Sequence, residues 1–312
     1  MNIRTTLSIV FGAMVFLAAC STGSEKTARN GLTYTVVEEG EGETSQQGEY
    51  IVLNMRYKDQ GTDSVWYDTG DEMPQLIQNM DSAWMAGNKM VQVIFSEMKA
   101  GDSVVFEVTA GELFQNTWNQ SLPEGVNADQ IIEFQVGCQQ ILKQEEIMAW
   151  MQEQNDKRRV MMESQAEEQF VTDTEIIEEY LAENNIETTK TESGVFIEML
   201  EEGNGTEANA GDSVSVDYTG YLLDGTFFDS SNEEVARENN MYQEGRPYEP
   251  FTFVLGRGAV IKGWDDGLAE LQAGDKARFY IPSTLAYGPQ QRGAVIGPNS
   301  ILVFDVELVE VK

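Results

Sequence analysis

The stretch VIKGWDDGLAELQAGD, residues 260–275, sets a tryptophan between a glycine and two aspartates. Its spacing predicts a short helix. Trp264, Leu268 and Leu271 fall at i, i+4 and i+7, one apolar face. Asp265 and Asp266 suit the positive end of the helix dipole, and Gly274 suits a left-handed stop. An indole on that face is either ordinary core or the floor of a site. The chemistry open to such a site is narrow, because the 312-residue chain contains no histidine. Histidine triads, histidine metal ligands and histidine pH switches are excluded together. Catalysis must use other groups or require no proton transfer.

The elements that must position these residues are legible in outline. The length suggests two domains, and 41% hydrophobic with 10% aromatic content is enough for real cores. A formal net charge of −33 argues against nucleic acid, whose binding rests on neutralising phosphates, and against docking on anionic headgroups. Arg4, the apolar run Leu7–Leu17 and LAAC ending at Cys20 read as a signal peptide, too short to span. LAAC resembles a bacterial lipobox, in which the cysteine is diacylated; the alternative is a plain secretory signal cleaved near Ala19. Two acyl chains anchor stably where one does not. With Cys20 lipidated, Cys138 has no disulfide partner. It continues the alternating face of Ile132, Phe134 and Val136, as a buried small hydrophobe rather than a reactive thiol.

The chain repeats itself. VVEEGEG (36–42) recurs as MLEEGNG (199–205), KAGDSVVF (99–106) as QAGDKARF (272–279), and IIEFQV (131–136) as ILVFDV (301–306). The expected organisation is a signal peptide over 1–19, a flexible tether over 20–30, a first unit over 31–142, a helical linker over 143–190 and a second unit over 191–312. Both units read as α+β: a twisted antiparallel sheet wrapped on one short helix. Val214, Val216 and Tyr218 alternate on one face, as do Leu302, Phe304, Val306 and Leu308. Asp224-Gly225 signals a type I′ hairpin. In the acidic linker, Thr172–Glu175 has the form of a capping box opening a helix that ends at Asn184-Asn185. Met148, Met151, Met161 and Met162 suit either packing on one domain or a dimerising or client-contacting surface.

The second unit resembles an FKBP-type peptidyl-prolyl cis-trans isomerase domain over essentially its full length. YTG (218–220), FDSS (228–231), VIKGWDDGL (260–268), AYG (286–288) and LVFDVEL (302–308) carry the resemblance. The lipobox and acidic spacer are similar to those of lipid-anchored two-domain members from Gram-negative bacteria, Bacteroidetes-like ones among them. The resemblance implies an isomerase that needs no cofactor and no metal. It implies a pocket with Trp264 as floor and Phe228, Phe251, Val260 and Phe304 as apolar walls. Tyr218 and Asp229 would form a polar edge, and the Ile261 N–H and Tyr287 hydroxyl would hold substrate carbonyls. Taken alone, Trp264 reads as ordinary core, and Asp229 reads as readily as a turn-former before Ser230 as a site residue. Two departures stand out: the loop 232–249 is longer than usual, and Arg292 stands near a flap position that is often histidine. In the first unit, Tyr57 aligns with Tyr218, Tyr67 and Asp68 with Phe228 and Asp229, Phe134 with Phe304, Val91 with Trp264 and Phe114 with Tyr287. Trp84 is placed to refill the space left by the missing indole, and the unit reads as degenerate.

Rotation about an X-Pro bond has a barrier of about 20 kcal/mol and breaks no bond, which fits a chain without histidine. The planar amide is the more dipolar form, so an apolar pocket that strips its water favours the twisted state. The expected partners are proline-containing polypeptide clients and a membrane reached through the lipid anchor, with no nucleic acid and with the linker as a route to a homodimer. The expected location is the cell envelope, on the periplasmic face of the outer membrane. The alternative function is a non-catalytic chaperone or scaffold using the same frames to hold clients.

Overall fold

The computed structural model describes residues 23–70, 73–80 and 88–312. The predicted signal peptide, Cys20 and Trp84 lie outside these residues. The chain divides into two compact units, Met1–Asn155 and Asp156–Lys312. The first carries β1 (Ser24–Thr27), β2 (Thr33–Glu38), β3 (Tyr50–Asp59), β4 (Val65–Asp68), β5 (Gln75–Gln78), a helix over Lys89–Ser96, β6 (Ser103–Thr109) and β7 (Ile131–Leu142). A long helix, Ile147–Asn184, crosses the division. The second unit continues with β8 (Thr189–Lys190), β9 (Phe196–Glu201), β10 (Ser213–Leu222), β11 (Phe227–Ser230), a helix over Glu233–Glu238, β12 (Phe251–Val254), a helix over Lys262–Leu268, β13 (Lys276–Ile281) and β14 (Leu302–Val311). The sheets run β1-β2-β6-β7-β3-β4 and β8-β9-β13-β14-β10-β11, with β5 on β3 and β12 on β10. Strand for strand the two orders are the same, and the described pairings are antiparallel.

The repeated motifs bind one another within each unit. The buried carboxylate of Asp102 accepts from the N–H groups of Gly40 (2.6 Å) and Lys99 (2.8 Å). That of Asp275 accepts from Gly203 (2.6 Å) and Gln272 (2.8 Å). A carboxylate taken from water needs such donors. Gly40 and Gly203 allow the approach: a Cβ would lie 2.1 Å from the Ala100 carbonyl oxygen and 2.6 Å from that of Ala273.

Several local expectations are corrected. The segment expected as a tether contributes β1, paired with β2 through its backbone; its four exposed residues leave no hydrophobic signal. The expected linker ends in β8, paired with β9. Thr172–Glu175 opens no helix. It lies inside the long helix, where the Thr172 hydroxyl donates to the Glu168 carbonyl one turn back. The helix does end at Asn184, with Asn185 left-handed at φ 54°. Only Gly225 of the Asp224-Gly225 pair has positive φ. Its N–H closes a turn onto Leu222, so the hairpin has a three-residue connection rather than a type I′ turn. Gly274 is left-handed at φ 95°, but it serves the Gln272–Asp275 turn and not the helix, which stops at Leu268.

In the second unit Trp264, Leu268 and Leu271 are buried together with Phe279, Phe304 and Leu308. Glycines set how closely their helix approaches the sheet. A Cβ on Gly263 would lie 2.4 Å from Ile281 Cγ2, and one on Gly267 would lie 2.8 Å from the Phe279 ring. The other sheet face is covered by Ile177 and Leu181 of the long helix, packed on Phe196, Tyr280, Ile301 and Val303. In the first unit Trp150, from the other end of that helix, packs on Val52 and Leu142. None of the described helices is long and apolar enough to cross a membrane. Because Ile281 is fully buried and β-branched, Gly263→Ala is expected to cost about 1–3 kcal/mol by overpacking. A lower urea midpoint for the second unit's transition would register it.

Candidate active site

The floor of the second unit's main cleft is aromatic. Trp264 is held there because Ile261 is extended (φ −60°, ψ 148°) and the next residue begins the helix. Its ring meets Tyr218 at 5.1 Å and Phe304 at 5.2 Å, both edge to face, and Phe228 meets Phe304 at 5.5 Å in the same manner, as ring quadrupoles prefer. The cleft holds about 520 Å³. All nine residues named for it from the sequence line it: Tyr218, Phe228, Asp229, Phe251, Val260, Ile261, Trp264, Tyr287 and Phe304. Phe251 is 45% exposed, a rim rather than an inner wall. The Ile261 N–H makes no hydrogen bond among the described residues and remains a free donor at the cleft.

The polar edge is fixed by the FDSS stretch. The Ser231 hydroxyl accepts from the Tyr218 N–H at 2.9 Å and the Ser230 hydroxyl donates to the Tyr218 carbonyl at 3.0 Å. These buried serines lock β10 against β11. Asp229 then accepts from the Tyr218 hydroxyl at 2.7 Å through Oδ2, and from the Ser230 N–H at 2.9 Å through Oδ1. Sequence reasoning did not name the group that completes this edge. Arg246, returning from the long 232–249 loop, places Nη1 2.6 Å from Asp229 Oδ1 and Nη2 3.1 Å from the Tyr218 hydroxyl. The only signal for it is a basic residue in an acidic loop of unusual length. Burial and the Asp229 carboxylate push the Tyr218 phenol well above the ordinary tyrosine range, and Arg246 partly opposes them. The far wall is Arg292–Ile296, with the Arg292 guanidinium 5.2 Å from the Tyr287 ring centroid.

The first unit's equivalences differ from those expected. Phe134 pairs with Phe106 as Phe304 pairs with Phe279, so Phe134 does match Phe304. Opposite Phe134 stands Tyr57, whereas opposite Phe304 stands Gly220. Tyr57 therefore corresponds to Gly220, and Met55 corresponds to Tyr218. The Thr69 hydroxyl accepts from the Met55 N–H as the Ser231 hydroxyl does from Tyr218. That match puts Trp66 at Phe228 and Tyr67 at Asp229. The first hairpin is one residue longer between these points, which shifts the alignment. The Tyr57 ring stacks on Phe134 at 4.8 Å and Tyr67 at 5.3 Å and lies 5.9 Å from Trp118. Neither the Tyr218 phenol nor the Asp229 carboxylate has a counterpart of its own type there. Cys138 is buried as expected, and burial pushes its thiol up to about 12, so it is inert as a nucleophile.

An aromatic cleft with a free backbone donor and a neutralised polar edge is suited to binding an apolar ring beside a carbonyl. The family model of FKBP-type peptidyl-prolyl cis-trans isomerases matches residues 204–309. An FK506-binding protein of Neisseria meningitidis serogroup B is 42% identical over 118 residues, covering 38% of this chain and 96% of that protein. An FKBP-type peptidyl-prolyl cis-trans isomerase FkpA of Aeromonas hydrophila is 32% identical over 212 residues, covering 66% of this chain and 73% of that protein. An FkpA of the same Neisseria serogroup is 37% identical over 168 residues, and there the chain spans 56% of the relative's length. The chain belongs to the FKBP-type peptidyl-prolyl cis-trans isomerase family, whose members are isomerases.

Tyr218, Tyr221 and Tyr280 all have phenols raised above the ordinary value of 10.0, burial being the largest cause for each. The folded chain keeps these protons where the unfolded chain releases them. The unfolded state then binds fewer protons, so stability is fully present below that value and falls as pH rises past it. Urea midpoints measured through the alkaline range are expected to fall, and less steeply in Tyr221→Phe.

Proposed function

We propose that the second unit's cleft twists X-Pro bonds by desolvation, assisting the folding of exported polypeptides, and that the first unit holds clients without turnover. The observation that carries this is the Tyr218–Asp229–Arg246 triangle closing one edge of an otherwise aromatic cleft. The proline ring rests on Trp264 between Phe228, Val260 and Phe304. Water leaves, and the less dipolar twisted amide gains relative to the planar one. The Ile261 N–H and the Tyr287 hydroxyl hold the flanking carbonyls. Tyr218 and Asp229 orient the twisted amide, and Arg246 neutralises the carboxylate so that the edge is polar without a net charge. No proton changes hands, in keeping with the absence of histidine.

For the first unit, Tyr57 at the position of Gly220 supports a role in binding rather than isomerisation. For the whole chain, the LAAC sequence supports diacylation at Cys20 and tethering in the cell envelope, on the periplasmic face of the outer membrane. Cys20→Ser is then expected to release the protein from the membrane fraction and to abolish incorporation of labelled palmitate.

Isomerisation of a short proline peptide tests the main proposal. Trp264→Leu and Asp229→Val are expected to lower kcat/KM by about 10- to 100-fold with circular dichroism unchanged. The wild-type rate is expected to stay flat between about pH 6 and pH 9, where histidine would have titrated. Wild-type protein that suppressed aggregation of an unfolded client but never accelerated isomerisation would sink the proposal.

A further inference from the structure

One buried carboxylate takes no part in the cleft just described. Asp173, in the long helix, is 1% exposed. Its Oδ2 accepts from both the N–H (2.7 Å) and the hydroxyl (2.5 Å) of Ser283, 110 residues away in the chain. Its Oδ1 accepts from Gln169 Nε2 at 2.7 Å, one helical turn back. Gln169 Oε1 in turn accepts from Asn299 Nδ2 at 2.9 Å. The two helix residues thus grip both ends of one segment, 283–299. That segment carries Tyr287 and the whole Arg292–Ile296 wall. It is also closed upon itself: Gly288 N–H donates to the Ser283 carbonyl at 2.8 Å, and Asn299 N–H donates to the Gly288 carbonyl at 2.7 Å.

Anchoring the helix does not require this arrangement. Ile177 and Leu181 already pack it on the back of the sheet. Burying a carboxylate is unfavourable unless well-placed donors offset it, and the donors to Asp173 are the neutral groups of Gln169 and Ser283. A leucine there would have packed at lower cost but fixed nothing. What the carboxylate adds is direction: two short bonds that set the backbone of Ser283, four residues before Tyr287. The family model begins at residue 204, so this support lies outside the matched segment.

We propose that Asp173, with Gln169, is a positioning residue for prolyl isomerisation, and that the long helix is thereby a working part of the catalytic unit rather than a spacer. Asp173 touches no substrate. It acts through the turn that presents Tyr287 and through the wall that follows, and so rests on the cleft assignment made above. A shift of about 1 Å in a positioned group can cost up to about 100-fold in rate.

The test uses the full chain and a proline peptide. Asp173→Ala is expected to lower kcat/KM about 10-fold with circular dichroism retained, and Ser283→Ala, which removes only the hydroxyl donor, about 3-fold. Asp173→Asn, which keeps an acceptor for the Ser283 N–H, is expected to recover part of the loss. Leu181→Ala is the control, since it loosens the same helix without touching segment 283–299, and it is expected to leave kcat/KM within about 2-fold at a temperature where the protein is folded. In a Tyr287→Phe background the cost of Asp173→Ala is expected to shrink, because coupled residues are not additive. Unchanged rates in both Ser283→Ala and Asp173→Ala, or an equal loss in Leu181→Ala, would overturn the proposal; should Asp173→Ala not fold, Ser283→Ala and Gln169→Ala decide it. If Tyr287→Phe alone leaves the rate unchanged, the role given to the Tyr287 hydroxyl fails, and Asp173 is judged on its own loss against the Leu181 control.

Discussion

Two rings, Phe228 and Phe304, close over the bare backbone of Gly220, and the cleft depends on that contact. A Cβ at Gly220 would sit 2.5 Å from the Phe228 ring and 2.7 Å from the Phe304 ring. Without it, the rings meet edge to face at 5.5 Å, and Phe304 is free to turn its own edge-to-face contact toward Trp264 at 5.2 Å. The first unit shows what the same strands do with a large residue in that place. Tyr57 stacks on Phe134 and occupies the region over the sheet that the second unit keeps for its aromatic walls. At this strand position the second unit keeps bare backbone where the first unit stacks a phenol ring. The surrounding frame tolerates both, because its strand order and its Asp102 and Asp275 clasps are independent of what stands at that position.

Much of the second unit was legible in the sequence, for reasons that are physical. Strict alternation put Tyr218 and Phe304 on the inner face, and the i, i+4 spacing put Trp264 and Leu268 on one buried helix face, with Leu271 buried just past the helix end. Repeated motifs marked the two units because they bind each other: the glycine of each EEG stretch donates to the aspartate of each AGD stretch. What escaped was set by tertiary contact or by bare backbone. β1 pairs without burying a side chain. The match of Tyr57 to Tyr218 failed by two residues, a shift that keeps every side chain on the same face and so leaves no trace in the hydrophobic pattern. A hydroxyl with a glutamate three residues on looks the same at a helix start as within a helix, and Thr172 was within.

Arg246 and Asp173 escaped for a different reason. Each is a charged residue in an acidic stretch, and each acts on a partner far away in sequence. Arg246 lies in the 232–249 loop and reaches back to Asp229; Asp173 reaches forward to Ser283. Composition reads such residues as solvated charge. Their role follows only from where the fold brings them, one to the edge of the cleft and the other beneath its wall.

The overall charge makes this local control necessary. The chain carries a formal charge of −33, and a desolvating cleft on such a surface would be of little use if its lining shared that charge. It does not. Asp229 is the one carboxylate among the lining residues, with Arg246 beside it and Arg292 on the far wall. Asp229 is paired with Arg246 at 2.6 Å, while Arg292 lies against Tyr287. More distant acidic groups are attenuated beyond a screening length of about 8 Å at physiological salt. The cleft thus presents apolar rings, a free N–H, a balanced ion pair and, on its far wall, the Arg292 guanidinium. Twisting an amide requires a site in which loss of dipole is not penalised and no proton donor of matched pKa is needed. The same chemistry explains why a chain without histidine can serve as an isomerase.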